Sequence, residues 1–493
     1  MEKTTRNKFE LKRPFILASV MLGMFLAAIE ATIVATAMPS IVSDLGGFSL
    51  YSWVFSAYLL TNAATVLVFG KLADLFGRKP IFVIGVTIFL IGSTLAGFST
   101  SMGMLIITRF VQGIGAGALM PIATTIVGDI YSREERAKIQ GYLSAVWGIS
   151  AVSGPLLGGF FVDILDWRYV FWMNIPLGLL AMLGIVIFLK ENITKKKERV
   201  DYLGSFLMMI TVSLLMLVLV EGGTGIPWNS ILMFTLIGVI AIALFILVQQ
   251  QLNSLQPMIP IELWRYRLIL MANFTSLTTG MITIGVTSYL PAFVQGVMGM
   301  SATIAGFTLT TMSIGWPIAS TISGRLLLRI GYRNTSLIGG VFLVIGSLLF
   351  MFLTPEKGPI WAGFGSFFIG VGMGMTSTAF IVGIQTNVDW EIRGIATSAN
   401  VFMRSLGSAL GVALLGGLLN SYIQGQIDQE GLAKEISVDS VNELLDGNSL
   451  HITEASREVL ERGLTDGLHI VYIGMFLMAL LSFLFIFLMP KDE

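Results

Sequence analysis

The chain has 493 residues, of which 55% are hydrophobic and only 12% are charged, and its mean hydropathy is +0.82. Soluble domains carry about 25% charged residues, so this composition excludes a soluble globular protein, a disordered chain and a secreted disulfide scaffold. Thirty basic residues balance thirty acidic ones, no Cys is present, and His451 and His469 are the two His. We therefore expect no nucleic-acid partner, no thiol chemistry and no metal or cofactor site.

Fourteen apolar runs of about 20 residues recur along the chain, and each is long enough to cross about 30 Å of hydrocarbon. They are predicted at residues 14–41, 51–70, 81–97, 104–128, 139–161, 169–189, 203–220, 230–248, 268–293, 303–323, 335–353, 360–384, 395–419 and 468–488. No cleavage site follows the first run, so we expect a retained helix rather than a signal peptide. The runs predict an all-α polytopic membrane protein.

The distribution of Lys and Arg predicts the orientation of the chain. With the amino terminus placed in the cytoplasm, the cytoplasmic segments hold 23 Lys and Arg and the external loops hold 5. This asymmetry predicts that both termini are cytoplasmic. The long external segment 420–467 holds 10 of the 30 acidic residues. Residues 438–445 and 455–464 have helical spacing of apolar residues, which predicts one or two short amphipathic helices. It is predicted to be a solvated outer cap, with a substrate-recruiting lid as the alternative.

The two ends of the chain repeat each other. Residues 70–79 recur as residues 324–333, and three further landmarks recur at nearly the same offset: Arg136 as Arg393, Gly154 as Gly411, and Pro39 as Pro291. Two six-helix bundles with two helices inserted between them explain the constant offset. We predict an N-terminal bundle at 1–189, a linker with two inserted helices at 190–260 and a C-terminal bundle at 261–493. Duplicated bundles are typical of transporters that alternate around a central site.

Five stretches follow one another along the chain: the first-helix stretch 29–39, the loop 70–79, the fourth-helix stretch 109–117, the fifth-helix stretch 148–159 and the stretch 167–176. In this order they resemble motifs of the major facilitator superfamily, in its fourteen-helix drug:proton antiporter branch. The resemblance covers nearly the whole chain. It implies a monomeric exporter of lipophilic drugs, either cationic or neutral, in the inner (cytoplasmic) membrane, driven by the proton gradient.

The resemblance also implies roles for particular residues. In the family, charges of the loop between helices 2 and 3 form a latch on the inner face. Here the loop contains Gly70, Asp74, Gly77, Arg78 and Lys79. Asp129 is the partner expected for Arg78. Gly70 and Gly77 are expected to permit close packing and a tight turn. The alternative is that the loop is only a turn whose charges set the orientation.

The fifth-helix motif, which is associated with exporters, is carried here by Gly148, Gly154, Pro155, Gly158 and Gly159. We expect this helix to bend and to pack closely against the facing half. The alternative is that these residues serve packing without any role in gating.

Glu30 is the one acidic residue deep inside a predicted span. It lies about 24 Å along the first helix at 1.5 Å per residue, in the outer half of the membrane. An acidic side chain in this position is costly and is expected to have a function. Burial favours its protonated form, so we expect the group to bind and release a proton. Arg109 in the fourth span lies at a similar depth, so Glu30 and Arg109 are predicted to couple transport to protons. Purely structural roles are the alternatives.

The cavity is predicted to be apolar and aromatic with scattered amides, and its candidate residues are Trp53, Tyr58, Gln112, Trp147, Asn174, Tyr289, Trp316, Gln385, Asn387, Asn400 and Arg404. The second half has no deep acid and carries Arg404 instead. We therefore expect monovalent cations, neutral or anionic compounds to be preferred over divalent cations, with Arg404 either binding an anionic group or serving as a structural residue.

Other functions remain open from the sequence. A dedicated proton-coupled exporter of one metabolite, lipid or siderophore would carry the same motifs. A membrane-embedded enzyme is not expected, because the spans hold no His cluster and no paired carboxylates. A sensor derived from a transporter and a channel are less favoured, since a duplicated bundle with one buried acid needs no continuous pore.

Overall fold

The structure, a computed structural model, describes residues 12–131, 133–191, 202–222, 226–253, 261–387, 390–432, 435–442 and 453–490. Most of them are helical. The first six long helices are α1 (Arg13–Leu45), α2 (Tyr51–Phe76), α3 (Arg78–Gly97), α4 (Met102–Ile130), α5 (Arg133–Ile164) and α6 (Asn174–Phe188). Two helices follow, α7 (Tyr202–Glu221) and α8 (Ile231–Asn253).

The remaining helices begin with α9 (Arg267–Ala292) and the long element Ala302–Met351. This element has non-helical backbone angles at Gly331, so we treat residues 302–330 as α10 and residues 332–351 as α11. The last three are α12 (Gly358–Asn387), α13 (Trp390–Gln429) and α14 (Glu454–Phe487).

The predicted fold class is confirmed. Twelve elements among the described residues are long and apolar enough to cross a membrane; the element 302–351 counts once among them, and α7 contains a shorter apolar segment, Phe206–Glu221. With that element divided at Gly331, the described part of the chain contains fourteen long helices, the number that the apolar runs predict.

The repeated glycines Gly77 and Gly331 have the same structural role. Gly77 separates α2 from α3 with φ at 98°, and Gly331 separates α10 from α11 with φ at 78°. Both values lie in the left-handed region, which a residue with a Cβ rarely adopts. The tight turn predicted at Gly77 is therefore confirmed. At Gly70 the expected close packing is not seen among the described residues, because a Cβ there would meet nothing within 4 Å.

The helices form two packed groups, which we call the first half (α1–α6) and the second half (α9–α14). In the first half, α4 packs against α2 and α3, and α1 packs against α4, α5 and α6; in the second half, α9 packs against α13 and α14, and α12 packs against α10 and α11. The halves meet where α5 contacts α10, α13 contacts α2, and α9 contacts α1. The domain boundaries at 189/190 and 260/261 stay predictions.

The inserted helix α7 connects the two halves. It packs against α8, against α2 of the first half and against α13 of the second half. The indole Nε1 of Trp53 donates to Glu221 Oε1 at 3.3 Å, and Ser421 Oγ donates to the carbonyl oxygen of Gly222 at 3.1 Å. A Cβ at Gly417 would lie 1.9 Å from the carbonyl oxygen of Leu219, so the backbones of α13 and α7 touch there.

Polar contacts join the two halves at the end of the bundle that carries residues 46–50 and 435–442, which we call the cap end. Ser49 N donates to Asp439 Oδ1 at 2.9 Å, and Asn420 Nδ2 donates to the carbonyl oxygen of Ser49 at 2.8 Å. Tyr51 of α2 stacks on Tyr289 of α9, with ring centroids 5.8 Å apart. These contacts hold the cap end closed in this structure.

Small residues let α5 approach both neighbouring helices. A Cβ at Gly154 would lie 2.0 Å from Thr32 Oγ1 of α1. On the side that faces the second half, a Cβ at Gly159 would lie 2.6 Å from the Cα of Thr303, and one at Gly306 of α10 would lie 2.4 Å from the carbonyl oxygen of Pro155. The close packing predicted for α5 therefore includes the contact between the halves.

The external segment 420–467 differs in part from its prediction. Helix α13 continues to Gln429 and α14 begins at Glu454, so residues 455–464 are the first turns of α14 rather than a separate short helix. No proline interrupts this stretch, and nothing else in it stops the helix before the apolar span. Of the predicted helix 438–445, Val438–Ser440 form a 3₁₀ turn, and residues 443–445 lie outside the described residues.

A side chain at Gly306 is expected to open the cap end. We expect Gly306→Val to separate α5 from α10, because its Cβ would overlap the backbone at Pro155. Because the protein has no Cys, a single Thr36→Cys, at a position that is fully buried, reports the opening. In the purified protein, maleimide should label this Cys several-fold faster in the Gly306→Val background.

The matched control is Gly238→Val, since a Cβ at Gly238 of α8 would meet nothing within 4 Å. Equal labelling rates in the two glycine variants would contradict the assigned contact.

Candidate functional site

Glu30 lies near the middle of α1 and is fully buried. The carboxylate forms a salt bridge and a short hydrogen bond with Nη1 of Arg109 in α4, which is 1% exposed. The sequence placed the two residues at a similar depth, and the structure brings them into direct contact. A buried carboxylate without a counter-charge would cost several kcal/mol, so each residue is stable here because the other is present.

The other oxygen of Glu30 is held by an amide. Asn174, the first residue of α6, donates from Nδ2 to Glu30 Oε2 at 2.8 Å and also contacts Ser93 Oγ of α3 at 3.0 Å. Ser93 in turn donates to the carbonyl oxygen of Phe171 at 2.8 Å. Helices α1, α4 and α6 therefore meet at one carboxylate, and α3 is connected to it through Asn174.

The guanidinium of Arg109 has further partners. Its Nη1 donates to Gln112 Oε1 at 2.6 Å, and its Nε donates to the carbonyl oxygen of Val54 at 3.3 Å. Its Cζ lies 4.2 Å from the ring centroid of Tyr58, within the range of a cation–π interaction. Two buried amide atoms can still form hydrogen bonds, because Gln112 Nε2 and Asn174 Oδ1 have no hydrogen-bond partner among the described residues.

The predicted latch charges lie at the opposite end of the bundle, which we call the basic end. Arg78 Nε lies 3.0 Å from Asp129 Oδ2, and both side chains are partly exposed to solvent. Lys79 Nζ donates to the carbonyl oxygens of Val186 and Leu189, at 2.7 and 3.1 Å. These contacts stay within the first half. The side chain of Asp74 lies outside the described part of the chain.

Several predicted cavity residues are instead buried in helix contacts. Gln112 and Asn174 belong to the Glu30 cluster, Tyr289 donates from its hydroxyl to the carbonyl oxygen of Val412 at 2.8 Å, and Asn400 Nδ2 donates to Asn273 Oδ1 at 3.1 Å. All four predicted residues are at most 5% exposed, so in this conformation they line no open space. Each of the four has at least one hydrogen-bond partner, as buried amides and hydroxyls require, and Gln112 Nε2 and Asn174 Oδ1 are the atoms of this set without one among the described residues.

Tyr58 is also buried, at 2% exposure, with its ring against Arg109. The remaining candidates are more accessible. Trp147 is 49% exposed, Trp53, Trp316, Gln385 and Arg404 are partly exposed, and Asn387 is exposed at the end of α12 and bonded to Gly383. The crevice found among the described residues is lined by none of the eleven candidates.

Sequence reasoning missed three features. Ser93 supports Asn174, but no pattern distinguishes it from the other Ser residues of the apolar runs. Glu191 accepts the backbone N–H groups of Arg78 and Lys79 at 2.8 and 3.0 Å, and caps α3; its position at the end of the sixth apolar run was an available signal. An apolar crevice also lies between α2, α7 and α13, lined by Leu60, Ala63, Ala64, Met208, Met209, Val212, Phe402, Leu406 and Ala409.

Loss of both charges of the buried pair is expected to destabilise the protein less than the sum of the two single losses. Arg109→Gln leaves the carboxylate of Glu30 unpaired, and Glu30→Gln leaves the guanidinium unpaired, so each single variant should lower the free energy of unfolding by about 3–5 kcal/mol. Unfolding of the purified protein in detergent measures both variants and their combination. The double variant should lose clearly less than the sum of the single losses.

The control is Arg457→Gln, which removes an exposed pair with Glu461 at 2.7 Å and should cost at most about 1 kcal/mol. Additive losses in the double variant would show that the two buried charges are not coupled.

Comparison with known proteins identifies relatives across most of the chain. Residues 20–412 match the family described as Major Facilitator Superfamily. The chain is 38% identical to "Multidrug resistance protein 3" of Bacillus subtilis (strain 168), over 84% of this chain and 81% of that protein. It is 33% identical to "Multidrug transporter protein MdtP" of the same strain, over 99% of this chain and 95% of that protein.

A solved structure supports the fold alone. A bacterial homolog of the human lysosomal transporter Spinster, in an inward-facing and unoccupied conformation, matches with a TM-score of 0.71 at 17% identity, over 97% of this chain and 98% of that one. The multidrug relatives and the family match carry the classification. This chain is a transporter of the major facilitator superfamily, related to multidrug resistance proteins, and not an enzyme.

Proposed function

We propose that the protein is a proton-coupled antiporter that exports lipophilic drugs, cationic or neutral, across the cytoplasmic membrane by alternating access. The observation that carries this proposal is the fully buried carboxylate of Glu30, ion-paired with Arg109 inside the membrane-spanning bundle. A carboxylate in such a place is expensive and is expected to have a function. The multidrug relatives support the choice of cargo.

A proton would act on the contacts of Glu30. In the closed cap-end state, the carboxylate holds both Arg109 and Asn174. Protonation of the carboxyl would remove the charge that attracts the guanidinium, so the contact between α1 and α4 would weaken. The unused polar atoms of Gln112 and Asn174 offer hydrogen bonds to a water that carries the proton. The proton would therefore loosen the site that the ionised form holds together.

Drug and proton would exclude each other at this site. With the cap end open, protonation of Glu30 favours release of a cationic drug. With the basic end open, loss of the proton restores a carboxylate that attracts the next cation. Because the two ligands favour opposite charge states of one group, each turn of the cycle exchanges one for the other.

We infer the orientation from the distribution of basic residues. Arg78 and Lys79 lie at the basic end, and the excess of Lys and Arg in the loops on this side favours its placement in the cytoplasm. Both termini are then cytoplasmic and the cap end is external. Both halves of the bundle lie on one chain, which supports a monomer as the transporting unit.

Glu30→Gln is expected to abolish uphill transport. The amide keeps the size of the side chain but binds no proton, so accumulation of rhodamine 123 in energised everted vesicles should fall at least tenfold. Transport is normalised to the inserted protein, and nigericin collapses the pH gradient as a reference.

The exposed Glu356→Gln serves as a control that makes the same chemical change outside the bundle. Gradient-dependent accumulation at the wild-type rate in Glu30→Gln would refute the proposed coupling.

Asp129→Asn is expected to slow conformational exchange and to leave binding unchanged. It removes the partner of Arg78 at the basic end, far from Glu30. Turnover in the vesicles should fall a few-fold, while the Kd for rhodamine 123 in the purified protein should stay within about twofold.

Glu458→Gln breaks the exposed pair with Arg462 and controls for loss of a surface ion pair. If Asp129→Asn changes the Kd rather than the turnover, the Arg78–Asp129 pair is not a latch.

A further inference from the structure

Arg404 occupies the middle of α13 without a counter-charge. Its backbone lies against α9, because a Cβ at Gly280 would be 2.2 Å from the Arg404 carbonyl oxygen, and Gly280 lies halfway along α9. The residue is therefore near the centre of the bundle. Among the described residues, no carboxylate and no hydrogen-bond acceptor contacts its guanidinium.

The guanidinium reaches across the second half to an aromatic ring. Its Cζ lies 5.7 Å from the ring centroid of Trp316 in α10. Helix α10 packs mainly against α12, whereas α13 packs mainly against α9, so this contact joins helices with different main partners. Both side chains keep partial exposure, so the charge and the ring remain open to a ligand.

The two deep arginines differ in their surroundings. The charge of Arg109 is matched by the carboxylate of Glu30, and its nitrogens have further acceptors. Among the described residues, Arg404 has the indole ring of Trp316 as its sole partner. A cation–π contact contributes roughly 0.5–2 kcal/mol, which is less than the several kcal/mol that desolvation of an ion costs. The pair Glu30–Arg109 is neutral as a unit, so Arg404 is the unbalanced charge at this depth among the described residues.

We propose that Arg404 is an anion-binding subsite, which holds the carboxylate of an amphipathic substrate while Trp316 contacts the aromatic or apolar body of the same molecule. A planar guanidinium matches a carboxylate with two parallel hydrogen bonds, and the substrate supplies the negative charge that the protein lacks at this point. The subsite extends the substrate class from cationic and neutral compounds to carboxylates and zwitterions. This inference rests on the proposed export function.

The dyes rhodamine 110 and rhodamine 123 test the subsite, because they share one aromatic body and the carboxylate of the first is a methyl ester in the second. Their Kd values are measured by fluorescence anisotropy on the purified full-length protein. Arg404→Gln should weaken the binding of rhodamine 110 about tenfold, the effect of losing one charged hydrogen-bonded contact. Its Kd for rhodamine 123 should stay within about twofold.

Two further variants complete the experiment. Arg404→Lys keeps the charge but loses the planar guanidinium, so it should weaken the binding of rhodamine 110 a few-fold. This variant also takes the place of Arg404→Gln if the latter does not fold. Arg329→Gln removes a charge from the exposed end of α10 and should leave both Kd values unchanged.

The inference fails if wild type binds neither dye, or if the Arg404 variants change both Kd values by the same factor. A failure of the proposed export function is detected by a different measurement: wild-type vesicles would then not accumulate rhodamine 123. A selective loss of rhodamine 110 binding in the purified protein supports the subsite whatever the vesicles show.

Discussion

The cost of burying charge in a membrane governs the centre of this transporter. Glu30 and Arg109 are both almost completely removed from solvent, and neither charge is stable at this depth without the other. The pair therefore fixes α1 against α4, and Asn174 and Ser93 add α6 and α3 to the same contact. A change in the charge of one carboxyl thus reaches four helices, which is the kind of coupling that a proton-driven cycle requires.

Close contact between small residues closes the cap end around this centre. Gly159 and Gly306 allow α5 and α10 to touch, and Ser49 is bonded to residues of the second half. The inserted helix α7 adds a bridge, since it packs on α2 and on α13. None of these contacts is an ion pair: they are made by backbone groups, the amide of Asn420 and the carboxylate of Asp439, which accepts a backbone N–H at the cap end. The halves can therefore separate without breaking a buried pair of charges.

Among the described residues, the second half has no copy of the buried pair. Its central charge, Arg404, faces an aromatic ring instead of a carboxylate. In that part of the chain, the first half therefore balances its deep charge within the protein, whereas the second half does not. With the proposed anion-binding subsite, one bundle would offer two chemically distinct places for a substrate.

The sequence by itself determined the membrane class, the fourteen helices and the turn at Gly77, because these depend on local composition and on backbone angles available to glycine. It also placed Glu30 and Arg109 at one depth, since the rise of a helix is fixed. The tertiary structure alone decided that Gln112 and Asn174 join that pair rather than line a cavity, and that Arg404 reaches Trp316. The direction in which a side chain points depends on how helices distant in the chain rotate and pack against each other, and that packing has no local signal in the sequence.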